Sequence, residues 1–281
     1  MTVQTEDRDL WIRRYHPAPD SEARLVCLPH AGGSASFYFP VSQALAPRIE
    51  VLAVQYPGRQ DRRLEPCVET IPELADRLLP LVLAEADRPL ALFGHSMGAS
   101  LAFELAGLLE QRAGVVPAVL FASGRRAPSR FRPEDDVHRR GDEALLAEIR
   151  RLAGTDTRIL GDDEVLRMIL PALRNDYRAA ELYRPTRFHR VTCPVTALVG
   201  TSDPKAPVDD VRAWQEHTTG PFTLRTYPGG HFYLVDQAPQ VLALLTETLA
   251  GTLAAARPAA TGSAGGPSPA PAPTPGASAR S

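Results

Sequence analysis

The segment Gly94-His95-Ser96-Met97-Gly98 constrains the fold of this chain more than any other. It follows the apolar run Pro89-Leu90-Ala91-Leu92-Phe93 and precedes the helix-like stretch Ala99-Ser100-Leu101-Ala102-Phe103-Glu104-Leu105-Ala106. A strand must therefore become a helix within a few residues. In so tight a turn, side chains at 94 and 98 would collide with the neighbouring strand or helix, and both positions are glycine. Ser96 is expected to be strained at its backbone. Its hydroxyl is expected to project from the sheet at a helix N-terminus, where backbone N–H groups favour developing negative charge. This is the strand–turn–helix context in which G-x-S-x-G presents a serine nucleophile.

The rest of the chain has the rhythm such an element needs. Short apolar runs predict strands at Leu10–Tyr15, Arg24–Leu28, Glu50–Gln55, Leu90–Phe93, Ala118–Ala122, Val195–Val199 and Thr223–Tyr227. Helical patterns fall at Ser36–Leu45, Ile71–Ala86, Ala99–Arg112, Val208–His217 and Ala238–Leu253. Several strands are apolar on both faces, as in a parallel sheet covered by helices. The alternation predicts an α/β fold with a mostly parallel central sheet, its functional groups on loops at the strands' C-terminal ends. With 281 residues and 44% hydrophobic content, the chain suits one domain, placed here at 1–256.

One stretch breaks the rhythm. Between Ala122 and Val195 there is no good strand, and Asp142–Ala153 and Asp162–Tyr183 read as amphipathic helices. They predict a helical insertion over about 130–185, a lid over a pocket for an apolar group. The alternative is helices simply packed on the core. Pro171 is expected to kink or split the second helix. From residue 257 to 281 the chain is rich in Pro, Ala, Gly and Ser, with almost no charge or large apolar side chain. That composition predicts a disordered tail with no catalytic role.

A formal net charge of −2 gives no electrostatic reason to bind nucleic acid or an anionic membrane. No apolar run approaches the roughly 18 residues of a membrane span. The N-terminus is charged and lacks the apolar core of a signal peptide. Cys27, Cys67 and Cys193 have neither CxxC nor metal-ligand spacing, so no metal or other cofactor is expected. Their low, odd number predicts a reducing cytoplasm.

A serine hydroxyl is a weak nucleophile until a base takes its proton, and the base needs an acid to orient it. In α/β-hydrolases the chain order is nucleophile, acid, base. His231 fits the base: it follows a strand and the turn Pro228-Gly229-Gly230. Asp203 fits the acid, in Gly200-Thr201-Ser202-Asp203-Pro204 at the end of another strand. Its rivals are Asp209, Asp210 and Asp236, the first two placed where acids stabilise a helix N-terminus. His16, His30, His95, His138, His189 and His217 are expected to be solvated or packing histidines. An oxyanion hole needs two N–H donors. One is expected from Met97, the residue after the nucleophile, and the other from Ala31 in Leu28-Pro29-His30-Ala31-Gly32-Gly33, with Gly32 as the alternative. Arg59 either meets an acidic partner or a phosphate, or pairs within its own loop.

Taken in order, Leu28–Gly33, Gln55-Tyr56-Pro57-Gly58-Arg59, Gly94–Gly98, Ser123-Gly124-Arg125, Gly200–Pro204 and Gly229-Gly230-His231-Phe232 resemble the stand-alone type II thioesterases of polyketide synthase and nonribosomal peptide synthetase systems. The resemblance runs from about Trp11 to Leu249. It implies an α/β-hydrolase fold with an inserted helical lid. It implies Ser96, Asp203 and His231 as the triad, with Met97 and Ala31 as oxyanion donors. It also implies hydrolysis of aberrant or stalled acyl groups from the phosphopantetheine arm of acyl or peptidyl carrier proteins. Two other readings stand beside it: a general carboxylesterase on the same scaffold, and a non-catalytic partner that binds carrier proteins. Fold and triad alone do not fix the leaving group.

Overall fold

The computed structural model describes residues 5–132, 136–153, 163–185, 187 and 190–256. The predicted tail at 257–281, His189, and the stretch between the two inserted helices lie outside them.

The sheet order is β1-β3-β2-β4-β5-β6-β7. Its strands are β1 (Ile12–Arg13), β2 (Ala23–Leu28), β3 (Ile49–Val54), β4 (Leu90–His95), β5 (Leu120–Ser123), β6 (Val195–Gly200) and β7 (Phe222–Tyr227). All neighbours are parallel except the β1–β3 pair. Strands β3, β4, β5 and β6 are buried along their whole length, which is why they read as continuous apolar runs. Edge strand β7 is partly exposed and carries Thr223, Arg225 and Thr226.

Alternation splits the strands' side chains between two cores. Val26, Leu28, Leu52, Val54 and Leu92 pack with α3 (Ile71–Leu83) and α4 (Met97–Ala113). Leu25, Cys27, Val51, Ala53, Ala91 and Phe93 pack with α2 (Phe39–Leu45) and α9 (Ala238–Ala256). Helix α3 starts on a side-chain N-cap: the Thr70 hydroxyl accepts from the Glu73 amide at 3.2 Å. Every residue of α4 from Met97 to Leu109 is buried, the polar Ser100 and Glu104 among them, so the helix lies in the core rather than on its surface. The N-terminus departs from expectation. Leu10 and Trp11 end helix α1 (Thr5–Trp11), and only Ile12 and Arg13 pair with β3.

The chain leaves the sheet at Ser123 and returns at Val195, on the adjacent strand. The excursion carries α5 (Asp142–Ala153) and α6 (Asp163–Leu182). Val137, Leu145, Leu170 and Leu173 form a small core of their own, with Leu146, Ile149 and Tyr177 against it. Helix α6 runs unbroken through Pro171. Pro171 is exposed, so water can meet the carbonyl that its missing N–H leaves free. Among the described residues no helix is long and apolar enough to cross a membrane.

Two further α-helices follow β6: α7 (Val208–Arg212), continued as a 3₁₀ turn to His217, and α8 (Tyr233–Asp236), which precedes α9.

Candidate active site

The turn after β4 is as crowded as its glycines suggest. A Cβ at Gly94 would lie 2.0 Å from the Gly98 carbonyl oxygen, and one at Gly98 would lie 2.1 Å from that of Leu28. No side chain fits against backbone at those distances. Between them Ser96 takes φ +55° and ψ −117°, a costly conformation for a non-glycine residue. Its N–H is held by the Ser123 carbonyl at 2.8 Å. Ser96 is half-buried, so its hydroxyl remains reachable.

Two other strand ends bring their side chains to this hydroxyl. The turns after β6 and β7 touch backbone to backbone: a Cβ at Gly200 would lie 2.2 Å from the Gly230 oxygen. Asp203 and His231, carried by those turns, are both buried. Asp203 Oδ1 accepts the amides of Lys205 and Ala206 at 2.8 and 3.3 Å. Asp203 Oδ2 lies 2.8 Å from His231 Nδ1, and His231 Nε2 lies 3.0 Å from Ser96 Oγ. The carboxylate can only accept, so Nδ1 carries the proton and the Nε2 lone pair faces the hydroxyl. The rival acids stand elsewhere: Asp210 pairs with Arg132 at 2.7 Å, while Asp209 and Asp236 are exposed.

The Met97 amide is the first of α4 and has no intrahelical acceptor. On the other side, the Leu28–Gly33 loop abuts Gly98. Within that loop the Gly33 amide bonds the His30 carbonyl at 2.9 Å, and the Gly32 amide bonds Asp176 Oδ2 at 2.8 Å. Among the described residues the Ala31 amide has no acceptor. Gly32, the alternative donor, is thus already engaged.

His30 and His95 sit closer to this centre than their expected roles suggested. The His95 ring centroid is 5.0 Å from that of His231 and 6.0 Å from that of His30. Phe232 packs edge-on against His30 at 4.9 Å. His95 Nδ1 is 2.9 Å from Ser123 Oγ, which is 2.7 Å from the Tyr233 hydroxyl. Gly124, at φ +59°, leaves the room that the His95 ring occupies. Burial pushes the His30 pKa down to about 3, with His231 and Arg59 adding to the shift. Burial also holds His95 well below the usual histidine range, helped by His231 and His30. Both are neutral walls beside the base. Their only sequence signal was their place at strand ends.

Arg59 corrects one expectation. It is buried and forms a two-pronged ion pair with Asp176 of α6, at 2.6 and 2.9 Å. It is not available to an external anion: its ion-pair partner lies in the inserted helix, while its Nε donates to the Pro57 carbonyl at 3.3 Å within its own loop. Burial alone would lower the pKa of Arg59; the Asp176 carboxylate outweighs it and leaves it raised. Asp176 was missed in the sequence, although an acid three residues from Leu173 on an apolar helical stripe was a usable signal. Of the other histidines, His16 meets Ser42, His138 pairs with Glu181, and His217 accepts from the Ser129 amide. Among the described residues no three His, Cys, Asp or Glu side chains gather to hold a metal ion.

The arrangement can activate a hydroxyl for attack on a carbonyl carbon and offer amides to the oxyanion that results. The chain matches the family model described as a thioesterase domain over residues 23–249. It is 56% identical over 252 residues to Thioesterase PikA5 of Streptomyces venezuelae, covering 88% of each chain. Among solved structures it resembles the type II thioesterase BorB from the borrelidin biosynthetic cluster, with TM-score 0.82 and 54% identity over 86% of this chain and 98% of that one. It also resembles YbtT, a type II thioesterase from the yersiniabactin NRPS/PKS biosynthetic pathway. There the TM-score is 0.74 and the identity 33%, over 86% of this chain and 99% of that one.

Proposed function

This chain belongs to the thioesterase family, and from that premise we propose that it releases acyl groups from carrier-protein thioesters through Ser96. The observation that carries the serine mechanism is the unbroken chain from Asp203 Oδ2 through the His231 ring to Ser96 Oγ, and the thioester substrate is supported by membership of the family.

His231 takes the Ser96 proton as Oγ attacks the thioester carbonyl carbon. Asp203 holds the ring's tautomer and stabilises the imidazolium. The amides of Ala31 and Met97 meet the oxyanion. Collapse of the tetrahedral intermediate expels the carrier's pantetheine thiolate and leaves an acyl-serine. A thiolate leaves readily, so the step needs little proton donation. The imidazolium then passes its proton to the departed thiolate, and neutral His231 deprotonates a water that attacks the acyl-serine; as that second tetrahedral intermediate collapses, the imidazolium returns a proton to Ser96 Oγ and the carboxylic acid departs.

The similarity to BorB and YbtT, both type II thioesterases of biosynthetic pathways, supports a role in clearing stalled or aberrant acyl groups from polyketide or peptide assembly lines. Carrier proteins are the partners this reading requires. A cytoplasmic setting belongs to the same reading, supported by three free cysteines.

Intact-mass measurement after mixing with an acyl-loaded carrier protein tests it. The wild-type protein should gain the acyl mass at Ser96 and empty the carrier, and Ser96→Ala should do neither. Equal turnover by the variant would sink the serine mechanism, and a strong preference for oxygen esters would sink the carrier-thioester assignment.

A further inference from the structure

The Leu28–Gly33 loop is gripped at both ends, by different parts of the molecule. At its start, the Tyr38 hydroxyl donates to the Leu28 carbonyl at 2.9 Å and the Tyr56 hydroxyl to the Pro29 carbonyl at 3.1 Å. Both tyrosines belong to the body around the sheet. At its far end the grip comes from the inserted helix α6. Asp176 Oδ2 accepts the Gly32 amide at 2.8 Å. The same carboxylate holds Arg59, whose Nη1 donates to the Gly33 carbonyl at 3.1 Å. One turn earlier on α6, Leu173 closes the space over Gly32: a Cβ there would lie 2.5 Å from Leu173 Cδ1, and Gly32 has φ +74°. Ala31 lies between the two grips.

We propose that Asp176 is a positioning residue that orients the Ala31 amide, so that the oxyanion site is complete only when α6 is seated on the loop. The proposal rests on the reading of Ala31 and Met97 as oxyanion donors. Fixing the Gly32 N–H fixes the peptide plane that follows Ala31, the His30 carbonyl holds the Gly33 N–H of the next, and the Arg59 bond to the Gly33 carbonyl fixes the one after that. Without these contacts the plane can rotate, and the adjoining Ala31 N–H loses its aim. The helix itself is tied down on either side of Asp176. Asn175 Nδ2 donates to the Val68 carbonyl at 2.8 Å, and Arg125 Nη2 to the Ala180 carbonyl at 2.8 Å. The ion pair suits this task because both partners are almost out of water, with side chains 7% and 3% exposed. Withdrawing α6 would strand the Arg59 charge, so the seated arrangement is strongly preferred.

Such a role predicts loss of transition-state stabilisation with little loss of substrate binding. Asp176→Asn keeps an oxygen for the Gly32 amide and loses the charge that holds Arg59. It should lower kcat about 3–10-fold, below the roughly 100-fold or more of losing one oxyanion donor outright. The double variant Arg59→Met/Asp176→Leu replaces the ion pair with apolar volume, a change that buried pairs often tolerate in stability. It should fold and melt near the wild type yet lose about 10–100-fold in kcat, with KM for the acyl carrier changed less than about threefold. An alkyl boronic acid, which forms a tetrahedral adduct with the serine, gives the second readout. Its inhibition constant should rise in proportion to the loss in kcat.

A folded double variant with wild-type kcat and boronate affinity would overturn the proposal. So would a loss confined to KM, which would make Asp176 a substrate-binding residue. Failure of the wild-type protein itself to form a boronate adduct at Ser96 would overturn the serine reading as well. The two failures are therefore distinguishable.

Discussion

The elbow and the inserted helices are held by opposite means. At the elbow, backbone meets backbone. Gly94 faces the Gly98 carbonyl, Gly98 faces that of Leu28, and Gly200 faces that of Gly230. A methyl added at any of these glycines would collide with backbone. At α6, by contrast, one carboxylate reaches across the chain to Gly32 and Arg59, which lie 144 and 117 positions away. The small cluster around Leu170 and Leu173 adds modest apolar support. The elbow is thus specified by glycines at which backbone leaves no room for a side chain, whereas the seat of α6 depends on a charged pair. Rigidity by exclusion is intolerant of any added atom. Rigidity by charge can be tuned by conservative substitutions.

The sharpest way to break this contrast is to attack the elbow's relay. Asp203→Asn should lower acyl-carrier turnover about 10⁴-fold, because an amide cannot hold the imidazole in the tautomer that accepts the serine proton. Its melting temperature should move far less than its activity. Turnover within tenfold of wild type would show that the elbow works without its acid.

Next comes the same substitution made in each region. Gly98→Ala places a methyl against the Leu28 carbonyl and should destabilise by about 3 kcal/mol or more, with activity lost alongside. Gly141→Ala, just before α5, meets nothing within 4 Å. It should cost no more than about 1 kcal/mol, the preference for glycine over alanine at a helix N-cap. Chemical denaturation of the pair measures the contrast directly, and equal losses would erase it.

Truncation inside the insertion should fall between these. Leu170→Ala removes a mostly buried side chain from the satellite core. It should cost about 2 kcal/mol, at the low end for buried leucine because the site can partly collapse. A loss above about 4 kcal/mol would mean that the insertion is packed as rigidly as the elbow.

The smallest effect concerns acid. His30 has a folded pKa near 3, below its unfolded value of about 6.5. The unfolded chain therefore takes up this proton first. The associated stability is complete above about pH 6.5 and is lost as pH falls toward about 3. His95 acts in the same direction. Within that window, His30→Gln should flatten the fall in melting temperature by about 3–6 °C per pH unit, since one proton is worth about 1.4 kcal/mol per unit. An unchanged slope would remove His30 from the acid response.

These differences explain what could be read in the sequence. Strands β3 to β6 were legible because parallel strands buried on both faces are largely apolar, and the elbow because its glycines lie within two residues of the serine. Asp203 and His231 could be placed by chain order and strand ends, and the structure brings both to Ser96. The segment at Leu10–Tyr15 misled because apolar residues at a helix end resemble a short edge strand. The ion pair of Arg59 could not be read from its loop, since the carboxylate that meets it sits on α6. His30 and His95 looked ordinary because proximity to His231 arises only when three strand ends converge.

One consequence of the sheet order concerns birth rather than function. A ribosome delivers the chain from its N-terminus, so Ser96 and its elbow emerge with β2, β3 and β4 while β6 and β7 are still unmade. The serine then has neither base nor acid, and an unassisted hydroxyl is a weak nucleophile. His231 is carried beyond the last strand of the sheet. In the proposed mechanism, a half-synthesised chain is hydrolytically silent, and the protein acquires its reactivity only in the final step of its own assembly.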